Sequence, residues 1–188
     1  LMLESYYPLK QIAKKVGISI QTAFDWRHKI LSGAVKDDKA FEGITEIDDI
    51  WFLYSQKGRK GLDYSRKRGG SKRAGDNDFQ AKLLITTDRN KTTDMSLARI
   101  GRLKKADIER KVSGRFSEGC VLVSDKHRSI AAFAKSENLK HVSFKASEHT
   151  AGGEYHVQNI NNMAAGLKTI VNRTLKGVST KYLQNYAN

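Results

Sequence analysis

Residues 119–125, GCVLVSD, form a short continuous apolar run that ends on an acid. A run of this length without alternation fits a strand covered on both faces, the environment of a central strand in an α/β sheet. The amphipathic pattern HRSIAAFAKSEN (127–138) follows at once and reads as a helix. The rest of 43–188 alternates in the same way. ITEIDDIWFLY (44–54) is rich in β-branched and aromatic residues and reads as a strand. QAKLLITTDR (80–89) reads as a second strand, and KTTDMSLARI (91–100) as a third, joined to it through a turn at Arg89 and Asn90. DIERKVSGR (107–115) reads as a helix, LKHVSFK (139–145) as a strand, and HVQNINNMAAGLKTIVNRTLKG (156–177) as one long helix ending near Gly177. The expected class is α/β, a mixed sheet flanked by helices.

The amino-terminal part has a different rhythm. Leu9, Ile12, Ala13 and Val16 fall at helical spacing, Gly17 follows where a left-handed residue is needed, and Ser19 is placed to cap a second helix running to Leu31. Helix, glycine turn, capped helix is the pattern of a helix-turn-helix, and Ala13 is small enough for the two helices to approach closely. The second helix would lie in a DNA groove with Gln21, Thr22, Asp25 and His28 on its exposed side. The expected division is a helix-turn-helix module over 1–35, a charged linker over 36–42 (KDDKAFE) and a larger domain over 43–188. Trp26 and Trp51 are expected in the core.

Charge narrows the partner. Thirty-four Lys and Arg against twenty Asp and Glu give a net charge of +14, which favours a polyanion. The excess is concentrated in QKGRKGLDYSRKRGGSKRAGDND (56–78), between the first two strands. There Lys57, Arg59, Lys60, Arg66, Lys67, Arg68, Lys72 and Arg73 stand among glycines, as a basic clamp facing phosphates would. The single cysteine, Cys120, cannot form an internal disulfide and sits in an apolar flank as a buried residue. No run of about 18 apolar residues is present to span a bilayer. A reducing intracellular location is expected, and both ends of the chain look trimmed.

Two acids stand where a strand-borne site would want them. Asp48 lies within the first strand, Glu46 on the same face and Asp49 on the opposite one. Asp125 ends the apolar strand, at the edge where α/β sheets build their sites. Hard oxygen ligands on adjacent strands suit Mg²⁺ or Mn²⁺, and such ions assist phosphoryl transfer. His127, His141 and His149 share no ligand spacing and are expected to be structural or solvated rather than ligands.

With these residues in view, the chain resembles insertion-sequence transposases with an ISXO-like catalytic domain, of the RNase H-like superfamily. TEIDD resembles their E-x-D-E segment, VLVSDKHRSI their V-L-T-D-x-x-R-S-Y segment, and the block from His156 to Tyr186 their H-V-N-x-I-E…L-K…G…K-x-L-Q-x-Y segment. The resemblance implies that Asp48, Asp125 and Asn161 bind the metal, that Lys168 joins them in catalysis, and that Glu46, Asp49, Glu154 and His156 support them. Asn161 stands where many relatives carry Glu, with 35 residues between it and Asp125. Asn is a weaker ligand for a hard dication, so a silent, DNA-binding descendant is an alternative, as is a related nuclease or resolvase. The implied activity is cleavage and strand transfer at the terminal inverted repeats of a bacterial insertion sequence. The protein would act on double-stranded DNA as a homodimer or higher oligomer, in the cytoplasm and associated with the nucleoid. The zinc ribbon that often precedes the helix-turn-helix in this group does not fall within these residues, as expected of a trimmed amino end.

Overall fold

The computed structural model describes residues 7–34, 38–63, 75–145, 147–148 and 151–188. Its centre is a five-stranded sheet in the order β3-β2-β1-β4-β5. The strands are β1 (Ile44–Leu53), β2 (Gln80–Asp88), β3 (Thr93–Ile100), β4 (Val121–Asp125) and β5 (Lys140–Phe144). β1, β2 and β3 form an antiparallel meander, while β4 runs parallel to β1 and β5 parallel to β4. With helices on both faces, this is the RNase H-like arrangement that the resemblance implied. The apolar run at 119–125 becomes β4, next to the strand that carries Asp48.

Period-two alternation sorts each strand's side chains between two cores. On one face, Ile47, Leu84 and Leu122 pack with Ile108 and Val112 of α3 (Lys105–Val112) and Ile130 and Phe133 of α4 (Arg128–Ser136). On the other, Ile50, Phe52, Leu83 and Ile85 pack against α5 (Gln158–Lys168). α5 supplies Ile160, Ala164 and Leu167, continued by Val171, at the four-three-four spacing that keeps one helical stripe on the sheet. Phe41 lies within the segment read as a linker, yet it is fully buried in the α3/α4 core and bridges to Phe116.

The expectation of one long helix over 156–177 needs correction. α5 stops at Lys168, and Thr169–Thr174 continue as a π-helical turn. Thr169, Ile170, Val171 and Thr174 are β-branched, which weakens the α-helical ladder there. Lys57 stabilises the far end, its ammonium donating to the carbonyls of Leu175, Lys176 and Gly177.

The amino-terminal helices form as the sequence suggests. α1 (Leu9–Val16) ends at Gly17 with φ 71°, in the left-handed region, and Ser19 Oγ accepts from the Thr22 amide at 2.9 Å to cap α2 (Ile20–Ser32). Ile12, Ala13 and Ala23 make the small core between them. α2 also leans on the carboxyl-terminal turns, Thr180–Tyr182 and Gln184–Tyr186, with Leu31 joining the α5-side core. Among the described residues no helix is long and apolar enough to cross a membrane.

Candidate functional site

The β1–β4 ladder is short. It pairs Ile44 with Val121, Thr45 with Leu122 and Glu46 with Val123, and then stops. Asp48 and Asp125 each lie two residues beyond the last pair, so they stand side by side where the two strands part. Both belong to the α5 side of the sheet, since Ile50 and Val123, two residues away on either strand, face that side. The carboxyl end of a parallel strand is where sheets of this kind place their chemistry.

The electrostatics mark Asp48. Burial, then the negative charges of Asp125 and Asp49, push its carboxyl from 3.8 up to about 7. The Asp49 amide donates to Asp48 Oδ1 at 2.7 Å, and this bond and the charge of Lys82 offset only part of the shift. Among the described residues no cation forms an ion pair with Asp48. Asp125 Oδ1 accepts from the His127 amide at 3.2 Å, a turn that orients the carboxylate at the strand end.

Glu46, on the same face, joins strand to helix. Its side chain is 1% exposed, and Oε2 accepts from the amides of Asn159 and Ile160 at 3.1 and 3.2 Å, in the first turn of α5. Oε1 accepts from Asn159 Nδ2 at 2.7 Å and from Arg89, which also donates to the Glu154 carbonyl. A carboxylate at a helix amino terminus satisfies amides that the helix itself cannot, and it complements the dipole. His156 Nδ1 is 3.5 Å from the same carboxylate. Asn161 is the next residue after Ile160, exposed on α5, and Lys168 is exposed two turns further on. Glu46 therefore ties the strand bearing Asp48 to the helix bearing Asn161.

Asp49 faces the other way, as its place in the strand requires. It pairs with Lys82 at 2.7 Å, Lys82 pairs with Asp76 at 2.5 Å, and His127 Nε2 is 3.9 Å from Asp49. Burial pulls the Lys82 ammonium's pKa down, but hydrogen bonds and charge from Asp49 and Asp76 hold it above its usual value.

Several expected contacts fall elsewhere. His28 is 8% exposed rather than on the outer side of α2. It stacks on Tyr182 at 4.1 Å and meets Phe24 and Tyr186 edge-on, because α2 uses this side to dock on the carboxyl-terminal turns. Lys57 is occupied as the helix-end donor described above. Gln21 and Asp25 are exposed and bonded to each other at 2.9 Å, and Thr22 is engaged with Ser19. Arg59 and Lys60 are exposed. Arg66, Lys67, Arg68, Lys72, Arg73 and His149 lie outside the described residues. Trp26 and Trp51, expected inside, are 48% and 44% exposed. Sequence reasoning missed Arg89, Asn159 and Lys82. Lys82, a lysine in an otherwise apolar strand, was the one visible signal of a buried ion pair.

As to what could be held here, the two carboxylates offer hard oxygen donors, and Asp125 adds to the charge that Asp48 meets. That donor set fits Mg²⁺ or Mn²⁺, which are commonly bound through one or two carboxylates with substrate phosphates completing the shell. Among the described residues no group of three or more His, Cys, Asp and Glu side chains gathers as an all-protein cage.

Residues 40–188 match the family model of the ISXO2-like transposase domain. No protein with a curated description matches the chain. Among solved structures, the chain is similar to a pre-cleavage Mos1 transpososome, with 11% identity, a TM-score of 0.31, and coverage of 98% of this chain and 72% of that one. It is also similar to the Mos1 strand transfer complex, with 12% identity, a TM-score of 0.34, and coverage of 98% and 71%.

Proposed function

Because the chain belongs to the ISXO2-like transposase domain family, we propose that it cuts and joins DNA at the ends of a bacterial insertion sequence, using Asp48, Asp125 and Asn161 to hold Mg²⁺ or Mn²⁺. The observation that carries this reading is the placement of Asp48 and Asp125 on one face, just past the point where β1 and β4 separate. The ion, when bound, would polarise the scissile phosphate and acidify the attacking water or hydroxyl. The chain's own contribution is positioning: carboxylates fixed on two rigid strands, and a third oxygen donor on a helix that Glu46 anchors to the first. Lys168, on the outer part of α5, would hold a phosphate of the bound strand. Arg59 and Lys60 would extend the basic surface along the DNA, and α1–α2 would contact the terminal repeat through Gln21 and Asp25.

The test is divalent-metal-dependent nicking of a labelled duplex bearing the element's own terminal repeat. Asp48→Asn and Asp125→Asn should each lose about a thousandfold or more in rate, the scale of removing several kcal/mol of transition-state stabilisation. Equal rates in wild type and both variants would overturn the assignment. Asn161 supports a second reading, a transposase descendant that binds repeats without cutting them. Repeat binding with no nicking in either metal would select it.

A further inference from the structure

We infer that a trough between the catalytic domain and the amino-terminal helices is a binding site for single-stranded DNA, with Trp51 as a base-stacking platform. Only the identity of the polymer rests on the transposase reading. The trough is built from two cavities. One, of about 400 Å³, is lined by Trp51, Phe52 and Leu53 of β1, past the point where β4 leaves that strand, and by Lys168 and Asn172 opposite. The other, of about 1110 Å³, lies between α2, the segment after β1 and the carboxyl-terminal turns. They share Ser55, Gly177, Val178 and Thr180 in their linings, so they adjoin.

The lining names the occupant's chemistry. Among the described residues no Asp or Glu lines either cavity, although the chain carries twenty. Exposed Lys168, Arg59, Lys176 and Lys181 do line them. A wall that keeps cations and excludes acids is complementary to a polyanion. One open aromatic ring stands among the cations, Trp51 at 44% exposure, with half-buried Tyr54 further along; Tyr182 is already stacked by His28. An exposed large ring on a strand end costs solubility and adds nothing to the core, whereas a free base can cover it. Duplex DNA keeps its base faces stacked inside and cannot offer them to this ring; an unpaired strand can. Trp51 is three strand residues, about 10 Å, from Asp48. Alternation turns it to the other face, but β4 no longer covers β1 here, and the cavity that holds Lys168 reaches Trp51 past that open edge. A strand leaving Asp48 and Asp125 would meet this platform first and continue toward α2.

The probe is a fluorescein-labelled dT12 oligonucleotide, followed by anisotropy against full-chain protein, with an unlabelled duplex of equal length as competitor. Trp51→Ala should weaken dT12 binding by about fivefold or more, the scale of one lost base stack. Arg59→Gln with Lys181→Gln should flatten the salt dependence by about 0.7 in log–log slope for each phosphate no longer neutralised. The chain has two tryptophans, so the emission reports which ring is covered. Quenching by dT12 should persist in Trp26→Phe and vanish in Trp51→Phe. Circular dichroism of each variant checks that the exposed substitution leaves the fold intact. If Trp51→Ala and the double variant bind dT12 as wild type does while metal-dependent nicking proceeds, the trough is overturned and the transposase reading stands. If dT12 binding falls as expected but wild type does not nick, the trough stands and the catalytic reading fails.

Discussion

The two faces of β1 treat adjacent carboxylates in opposite ways. On the α3/α4 face, Asp49 is 8% exposed and its charge is met by the buried ammonium of Lys82, which Asp76 also grips. On the α5 face, no described cation pairs with Asp48, and burial, then the charges of Asp125 and Asp49, push its carboxyl up to about 7. One residue along the chain separates a satisfied charge from a frustrated one. Folding alone favours the first arrangement, because a buried carboxylate is tolerated when paired. The second is what a site reserved for an external cation should look like, since strain of this kind is relieved only when the ligand arrives.

The sharpest way to break this contrast is to remove the cation from the satisfied side. Lys82→Ala leaves Asp49 buried without its partner and should cost about 3–5 kcal/mol, read as a lowered urea midpoint at unchanged m-value. Lys82→Met fills the space but still strands Asp49. Pairing it with Asp49→Leu should recover most of the loss, because the stranded charge is then gone. A Lys82→Ala variant as stable as wild type would show that the two faces do not differ in the way described.

The frustrated side should respond with the opposite sign. Asp48 takes up its proton near pH 7 in the folded chain and near 3.8 when unfolded. Between those values the folded state binds the proton more tightly. Stability therefore falls as pH rises through that window, and the loss is complete above about 7. Asp48→Asn carries no charge at any pH. It should be more stable than wild type at pH 8, by an amount on the order of a few kcal/mol, and the advantage should shrink steadily toward about pH 4. Added Mg²⁺ or Mn²⁺ should raise the wild-type Tm at about pH 8 and leave Asp48→Asn unmoved. Thermal melts across pH, with and without metal, give both comparisons. A pH-independent difference would remove Asp48 from its assigned environment.

The contrast itself was partly visible in the sequence. Strand alternation alone puts Glu46 and Asp48 on one face and Asp49 on the other, and the apolar run before Asp125 marks a central strand. What alternation could not supply was the neighbour across the sheet. That Lys82 meets Asp49 depends on the β1–β2 register, which sets Trp51 opposite Lys82 and Asp49 opposite Leu84. Register follows from how two whole strands align, so neither strand's sequence shows it alone. His28 was misplaced for a similar reason. Helical periodicity shows which residues share a side, but the side of α2 that is covered depends on the carboxyl-terminal turns, at Tyr182, far along the chain. Trp51 looked like a core residue because aromatics in strands usually are. It is exposed because β4 leaves β1 at Glu46 and nothing described replaces it.

The smallest expected effect tests the link between the faces and the helix. Glu46 is fully buried, yet it sits on the frustrated face without being frustrated, because amides and Arg89 surround it. Glu46→Gln keeps the shape and removes the charge. One carboxylate oxygen becomes an amide nitrogen, which cannot accept the hydrogen bonds its predecessor did. The expected cost is about 1–3 kcal/mol, that of an incompletely satisfied buried hydrogen-bond set and a lost charge at a helix terminus. The change should reach catalysis only through geometry. A looser α5 moves Asn161, so the nicking rate should fall while affinity for the repeat duplex is kept. Adding Arg89→Lys, which retains a cation beside position 46, should restore neither. A Glu46→Gln variant that nicks at the wild-type rate despite its lower stability would mean that α5 holds Asn161 without help from β1. The bridge between strand and helix would then be structural alone.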